Sequence, residues 1–290
     1  MSFKENLFKR RSAAAKSADA NIPELPCATA HLIVEPDEVY RSKSASHLTS
    51  HRLADFRRNP LLFHKKELGL VREEDRPAYQ IGRAAHTLIL EGREVFEKRY
   101  AVGGPVNSKT GEVFGERTKA YAEWAEAQGK PVLTTEQSVL VESMAASVRA
   151  HKHAAELLAD GVAEGVVRAE YGGMACQSRI DWVHPERGIV DLKTCDNLDW
   201  LEMDAKSYGY AHQFSFYRSV LALVAGAVAP VFIIAVEKRE PFRTGVWVMG
   251  QNVLALAQKE NEQAMSRLAK CRETDSWPTG YENIRTFDYL

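Results

Sequence analysis

The stretch RIDWVHPERGIVDLKT, residues 179–194, alternates apolar and polar side chains on either side of His184-Pro185-Glu186-Arg187-Gly188. Proline and glycine in so short a polar bridge mark a turn, and the stretch reads as a β-hairpin. Closed symmetrically about Glu186, the hairpin sets Asp181 opposite Asp191 and Arg179 opposite Lys193. Strand parity then gathers Asp181, Asp191 and Lys193 on one face, while Ile180, Trp182, Val190 and Leu192 point to the core. Two carboxylates facing each other repel, and a sheet keeps such a pair when a cation sits between them. Carboxylate and carbonyl oxygens suit Mg²⁺, which makes Asp181, Asp191 and the Leu192 carbonyl candidate ligands. Lys193, two residues on, is placed to hold or deprotonate an attacking water and to stabilise charge on a phosphate.

The flanking sequence extends this hairpin into a domain. Val166–Tyr171 and Met174–Val183 are strand-like runs split by Gly172-Gly173, so an antiparallel meander is expected. Downstream, Tyr210, Phe214, Tyr217, Leu221 and Val224 form the apolar stripe of an amphipathic helix. Val231–Val236 and Thr244–Val248 read as further strands, and Val253–Leu268 as a final helix. Upstream, Leu48, Leu53, Phe56, Leu62 and Phe63 pattern two short helices broken at Asn59-Pro60. Ile81–Leu90 reads as a buried helix, Gly103–Gly115 as a mobile loop, and Thr134 with Gln137 as the capping box of a helix reaching about Leu158. Residues 1–40 are small, polar and proline-punctuated, which predicts a flexible arm ahead of one domain spanning 41–290.

Composition narrows the function classes. The 290 residues carry 38 basic and 39 acidic side chains, a net charge of -1 that excludes gripping a polyanion with the whole surface. The charge is unevenly placed: up to residue 66 there is an excess of +5, and the remainder holds -6. A nucleic-acid contact would therefore be local. Cys27, Cys176, Cys195 and Cys271 are far apart, so zinc-ribbon, iron–sulfur and disulfide-scaffold spacings are absent. No apolar leader is visible, and the uncharged run Val220–Val236 contains Gly226 and Pro230, which suits a helix end, a turn and a buried strand better than a membrane span. A cytoplasmic protein of a bacterial or phage-infected cell, without a membrane partner, is expected.

Asp181 followed ten residues later by Asp191-Leu192-Lys193 resembles the signature of the PD-(D/E)xK nuclease superfamily. His86 in IGRAAH resembles the helix histidine of its RecB-like branch. SHLTSHRLADFRRNPLLFHKKELG (46–69) resembles that branch's N-terminal entry motif, and Gln213 with Tyr217 in HQFSFY its QxxxY helix. Val236-Glu237-Lys238 and Trp277-Pro278-Thr279-Gly280-Tyr281 look like the phage recombination exonucleases of the exonuclease VIII (RecE) and lambda exonuclease type. The resemblance runs from about residue 42 to the end. It implies an α/β (α+β) fold with a restriction-endonuclease-like core, a mixed central sheet whose antiparallel catalytic meander is flanked by helices.

The same resemblance implies an Mg²⁺-dependent exodeoxyribonuclease acting 5′→3′ at double-stranded DNA ends and leaving 3′ tails for recombination by strand annealing. Asp181, Asp191, Leu192 and His86 would hold one or two Mg²⁺ ions, with Mn²⁺ able to substitute. Glu170 would be the preceding acid, Lys193 the catalytic lysine, and Gln213, Tyr217, Arg52, Arg57, Arg58 and Arg179 would meet DNA. A ring-shaped homo-oligomer (trimer or tetramer) and a single-strand annealing protein are the implied partners. Asn59 stands where iron–sulfur members carry cysteine, so no cluster is expected. Two other readings stay open: a nuclease of the same fold with another polarity or a single-stranded or structured substrate, and a non-catalytic DNA-binding relic of the fold.

Overall fold

The structure, a computed structural model, describes residues 28–71 and 77–288. Its helices include α1 (Ser50–Arg58), α2 (Pro60–Glu67), α3 (Pro77–His86), α4 (Thr135–Ala150), α5 (Leu201–Tyr208), α6 (Tyr210–Ala225) and α7 (Gln251–Thr274). Five strands, β1 (Val162–Tyr171), β2 (Met174–His184), β3 (Gly188–Cys195), β4 (Val231–Glu237) and β5 (Thr244–Val248), form the central sheet in sequence order. All neighbours are antiparallel except β3 and β4, which pair in parallel from Ile189↔Val231 to Cys195↔Glu237. A parallel pair needs a long crossover, and α5 and α6 supply it. The expected mixed α/β architecture with an antiparallel meander is therefore present.

Local sequence accounts for most element ends. Asn59 accepts from the Leu62 N–H and Pro60 opens the next helix, which separates α1 from α2. Thr134 and Gln137 make a reciprocal capping box for α4, which stops at Ala150; a short helix, Lys152–Leu157, completes the expected span. Gly226, in the left-handed conformation, ends α6, and the uncharged run then turns into β4. Among the described residues no helix is long and apolar enough to cross a membrane.

Both faces of the sheet are covered. On one, α1, α2, α6 and α7 pack Leu53, Phe56, Phe63, Phe214, Val220 and Leu254 against Val167, Ile189 and Ile233. On the other, α3 and α4 pack Ala84, Ala85, Met144 and Val148 against Val190, Leu192 and Ile234. Central strands buried on both sides read as nearly continuous apolar runs, and GIVDLKTC beside VFIIAVE has that character. The expectation of a polar face on β3 needs correction accordingly: Asp191 is 1% exposed, beneath α6.

Residues 1–27 of the expected N-terminal arm lie outside the described residues. The rest of it, 28–40, docks on the sheet rather than standing free. Ile33 exchanges both backbone hydrogen bonds with Val166 on the β1 edge, and Glu35 pairs with Arg168. The Gly103–Gly115 loop is braced by a bridge between Val106 and Val113. At the other end of the chain, Trp277 stacks on His64, with ring centroids 4.1 Å apart, and the Pro278 carbonyl accepts from Leu61.

The β2–β3 turn leaves one residue no freedom. Gly188 has φ +99°, and a Cβ there would lie 2.6 Å from the Pro230 carbonyl oxygen. Gly188→Ala is expected to lower the free energy of urea unfolding by about 2 kcal/mol or more through strain and backbone clash. An unchanged midpoint would contradict this packing.

Candidate active site

The hairpin closes as its symmetry predicts, with Trp182↔Val190, Val183↔Ile189 and His184↔Gly188 paired. Pairing then stops, and the expected facing of Arg179 and Lys193 does not occur. The strands fork because the Asp181 side chain replaces the ladder: its Oδ2 accepts from the Leu192 N–H at 3.0 Å. In the gap of that fork the structure gathers the ionisable groups. Lys193 Nζ lies 2.6 Å from Asp191 Oδ2, while neither oxygen of Asp191 accepts a well-aligned hydrogen bond. His86, the last residue of α3, brings Nδ1 to 3.4 Å from Asp181 Oδ2.

The third acid is Glu164, not Glu170. Glu170 is exposed at the far end of β1, opposite Ala175. Glu164 lies between Ala163↔Trp182 and Gly165↔Ile180 in the β1–β2 ladder and so stands across from Asp181. Its φ of +51° is unusual for a residue with a side chain, a local strain held at the site. One ligand atom each from His86, Glu164 and Asp181 lies within 4.8 Å of the others. The sequence carries a signal for Glu164: closing the strands about Gly172-Gly173, by the symmetry that β2 and β3 have about Glu186, pairs 164 with 181.

The remaining candidates divide. Gln213 on α6 belongs to the site, with its Oε1 accepting from Lys193 Nζ at 3.4 Å and its Nε2 donating to the Tyr217 hydroxyl at 2.8 Å. Tyr217 is buried, which corrects the expectation of a DNA contact; it holds Gln213 in place. Arg179 lies inside the cluster, pairing with Glu164 at 2.9 Å and with Asp37, its guanidinium over Tyr40. Arg52 bonds Glu67 and the Ser44 and His47 carbonyls, and Arg57 donates to Asn261. Of the four arginines expected on DNA, Arg58 is the exposed one. Tyr210, expected only as part of the apolar stripe, lies under Lys193, 4.7 Å from Nζ to the ring centroid.

Val236-Glu237-Lys238 turns out to be a brace at the exit of β3. Glu237, buried, accepts from the Leu198 N–H and pairs with Arg243, and its carboxyl is held at about 2 by the Arg243 hydrogen bond.

Charge in the fork is unbalanced. Burial first, then the neighbouring Asp181, pushes Glu164 up to about 8. Burial and Asp181 likewise raise Asp191 to about 6. Burial also raises Asp181, against the pull of Lys193. His86 falls to about 4, through burial and then the nearby Lys193, so its imidazole is neutral, the form that binds a metal. Burial opposes the charge on Lys193, but Asp191 and Asp181 outweigh it and keep the ammonium protonated.

The chain matches the PDDEXK-like domain of unknown function DUF3799 over residues 50–288. It belongs to this family. Among solved structures, this PDDEXK-like chain is similar to one from Eubacterium rectale described as a "putative exonuclease", at 15% identity over 89% of this chain and 97% of that one, with a TM-score of 0.65. That likeness is one of fold. No curated protein matches the chain.

The donors of this PDDEXK-like site fit a hard divalent cation. Carboxylate oxygens, one neutral imidazole and the Leu192 carbonyl, which lies against His86, are the ligand types such ions take, and the Asp191 oxygens lack aligned donors. Apparent Mn²⁺ affinity is expected to climb between pH about 6 and about 8, because protons on Asp191 and Glu164 must leave before those oxygens bind. Calorimetry should also find Glu164→Gln weakened by about tenfold or more and Glu170→Gln unchanged. Weakened binding in Glu170→Gln with none lost in Glu164→Gln would return the role to Glu170.

Proposed function

We propose that the protein is a metal-dependent deoxyribonuclease that digests double-stranded DNA from its ends, 5′→3′. One observation carries this reading: a single fork in the sheet holds Glu164, Asp181 and Asp191 against one protonated lysine and one neutral imidazole. Family membership supports it, as does the similarity in fold to a structure described as an exonuclease.

In this reading Asp181, Asp191, Glu164, His86 and the Leu192 carbonyl would hold Mg²⁺, for which Mn²⁺ would substitute. Such an ion would supply Lewis acidity toward a phosphate oxygen and toward the attacking water. The protein's own groups do the rest. Lys193 keeps its proton between Asp191 and Gln213, so it orients the attacking water as a donor and faces charge developing on the phosphate. Gln213, fixed by Tyr217, limits where the ammonium can swing. Glu164 and Asp181 supply negative oxygens from opposite strands, and Arg179 ties Glu164 to Asp37 so that the acid keeps its place. Arg58, exposed on α1, is the candidate for backbone phosphates. A ring-shaped homo-oligomer around the duplex and a strand-annealing partner belong to the same proposal, and a monomeric mass by light scattering would count against the ring.

The direct test is a linear duplex labelled at either the 5′ or the 3′ end and digested with Mg²⁺. Early release of the 5′ label as short products is expected, with Lys193→Ala and Asp191→Ala each slower by about a hundredfold or more. Full activity in either variant refutes the assignment, whereas early release of the 3′ label alone reverses the polarity and leaves the nuclease.

A further inference from the structure

A second charged feature lies outside the fork, on α6. Arg218 on α6 is 6% exposed, yet among the described residues no carboxylate pairs with it. Its one hydrogen bond there goes from Nη1 to the neutral Gln251 Oε1 at 2.6 Å. Burial alone pulls its pKa below the ordinary arginine value, with no acid opposing the shift. A guanidinium has five N–H donors in a planar fork, and burying it without a counter-charge is costly.

Its surroundings offer room for that counter-charge. Arg218 lines an open cavity of about 220 Å³ together with Tyr171, Ser219, Ala222 and Gln258. Ser219 Oγ is buried without a well-aligned partner and lies beside the Tyr171 hydroxyl. One carboxylate reaches this region, Glu262, and it is engaged by Tyr171 at 3.1 Å and by Gln258 at 2.9 Å instead of by Arg218. The remaining donors of Arg218 are thus left for something that is not part of this chain's described residues, with the Ser219 hydroxyl beside them.

We infer that this cavity is an oxyanion site, in which Arg218 and Ser219 bind a phosphate-type group. It is distinct from the candidate active site: Tyr171 on its wall lies seven positions along β1 from Glu164, roughly 20 Å of extended strand, and no residue of its lining belongs to the fork. Inorganic phosphate and a backbone phosphate of DNA present the same tetrahedral oxyanion. A planar guanidinium with a neighbouring hydroxyl suits either. The site does not require the chain to be a nuclease, so it stands or falls separately from the function proposed above.

The test uses the full chain in a phosphate-free buffer of low ionic strength. Inorganic phosphate at ten times its Kd should raise the Tm by about 3 °C, and calorimetry should give one site per chain. Arg218→Met should lose that response while being at least as stable without phosphate, since it removes an uncompensated charge. Arg218→Lys should bind several-fold more weakly. A selenate soak of wild-type crystals, read by anomalous scattering, covers the case in which Arg218→Met does not fold; a peak at Arg218 is expected. If free phosphate has no effect but Arg218→Met weakens binding of a duplex with Ca²⁺ in place of Mg²⁺, DNA is the source of the oxyanion. The inference fails if phosphate stabilises Arg218→Met as much as it stabilises wild type. It also fails if neither phosphate, selenate nor DNA detects the arginine.

Discussion

The hydrogen bond from the Leu192 N–H to Asp181 Oδ2 is the constraint around which the site is organised. Had β2 and β3 continued to pair beyond Trp182↔Val190, Asp181 and Asp191 would face each other across a ladder at about 5 Å, with no space between them. Separating the strands without compensation would strand a buried backbone donor at a cost of about 1–3 kcal/mol. The carboxylate resolves both problems. It accepts the orphaned N–H, lets β2 diverge toward β1, and leaves β3 free to take β4 as its parallel neighbour. Glu164 and His86 then enter the gap from β1 and α3.

Because helices cover both faces of the sheet, this fork is a polar gap in an otherwise apolar centre. Ile189, Val190, Leu192, Ile233 and Ile234 are all buried around Asp191. Burial makes each charge there more costly and each interaction between charges stronger. The raised carboxyls and the lowered imidazole are two faces of the same desolvation, and the protonated lysine is its partial remedy. The brace at Glu237 sets the contrast: one acid meets one arginine and one backbone N–H, and its carboxyl is lowered rather than raised. Glu237 is matched by its partners, whereas Asp191 in the fork has no aligned donor on either oxygen.

What could be read from sequence follows from how local each determinant is. The register about Glu186 was legible because a three-residue turn sets it, and Asp181, Asp191 and Lys193 came with it. The helix breaks at Asn59-Pro60 and the Thr134 cap were legible for the same reason. The choice of Glu164 over Glu170 was missed although both have the parity of the same strand face. Only distance along β1 separates them, and that distance is measured from the Gly172-Gly173 turn. The burial of Asp191 was beyond local reading, since it depends on β4 and α6 packing beside β3. The docking of residues 28–40 was equally non-local. Their composition is that of a loose segment, and what holds them is Val166, Arg168 and Arg179, more than a hundred residues away.

Charge shows the same lesson in another form. The basic excess of the first 66 residues suggests a surface for DNA, yet Arg52 is bound to Glu67 and Lys66 to Asp55, so much of it is internal. At the fork, Asp37, Glu164, Asp181 and Asp191 stand against Arg41, Arg179 and Lys193. Fully ionised, that set has one negative charge in excess, which the protein alone can relieve only by protonating an acid. A divalent cation outweighs the excess without any proton, and it turns a patch that repels phosphate into one that attracts it. The balance of ionised side chains at the fork is therefore itself an argument for the class of ion the site takes.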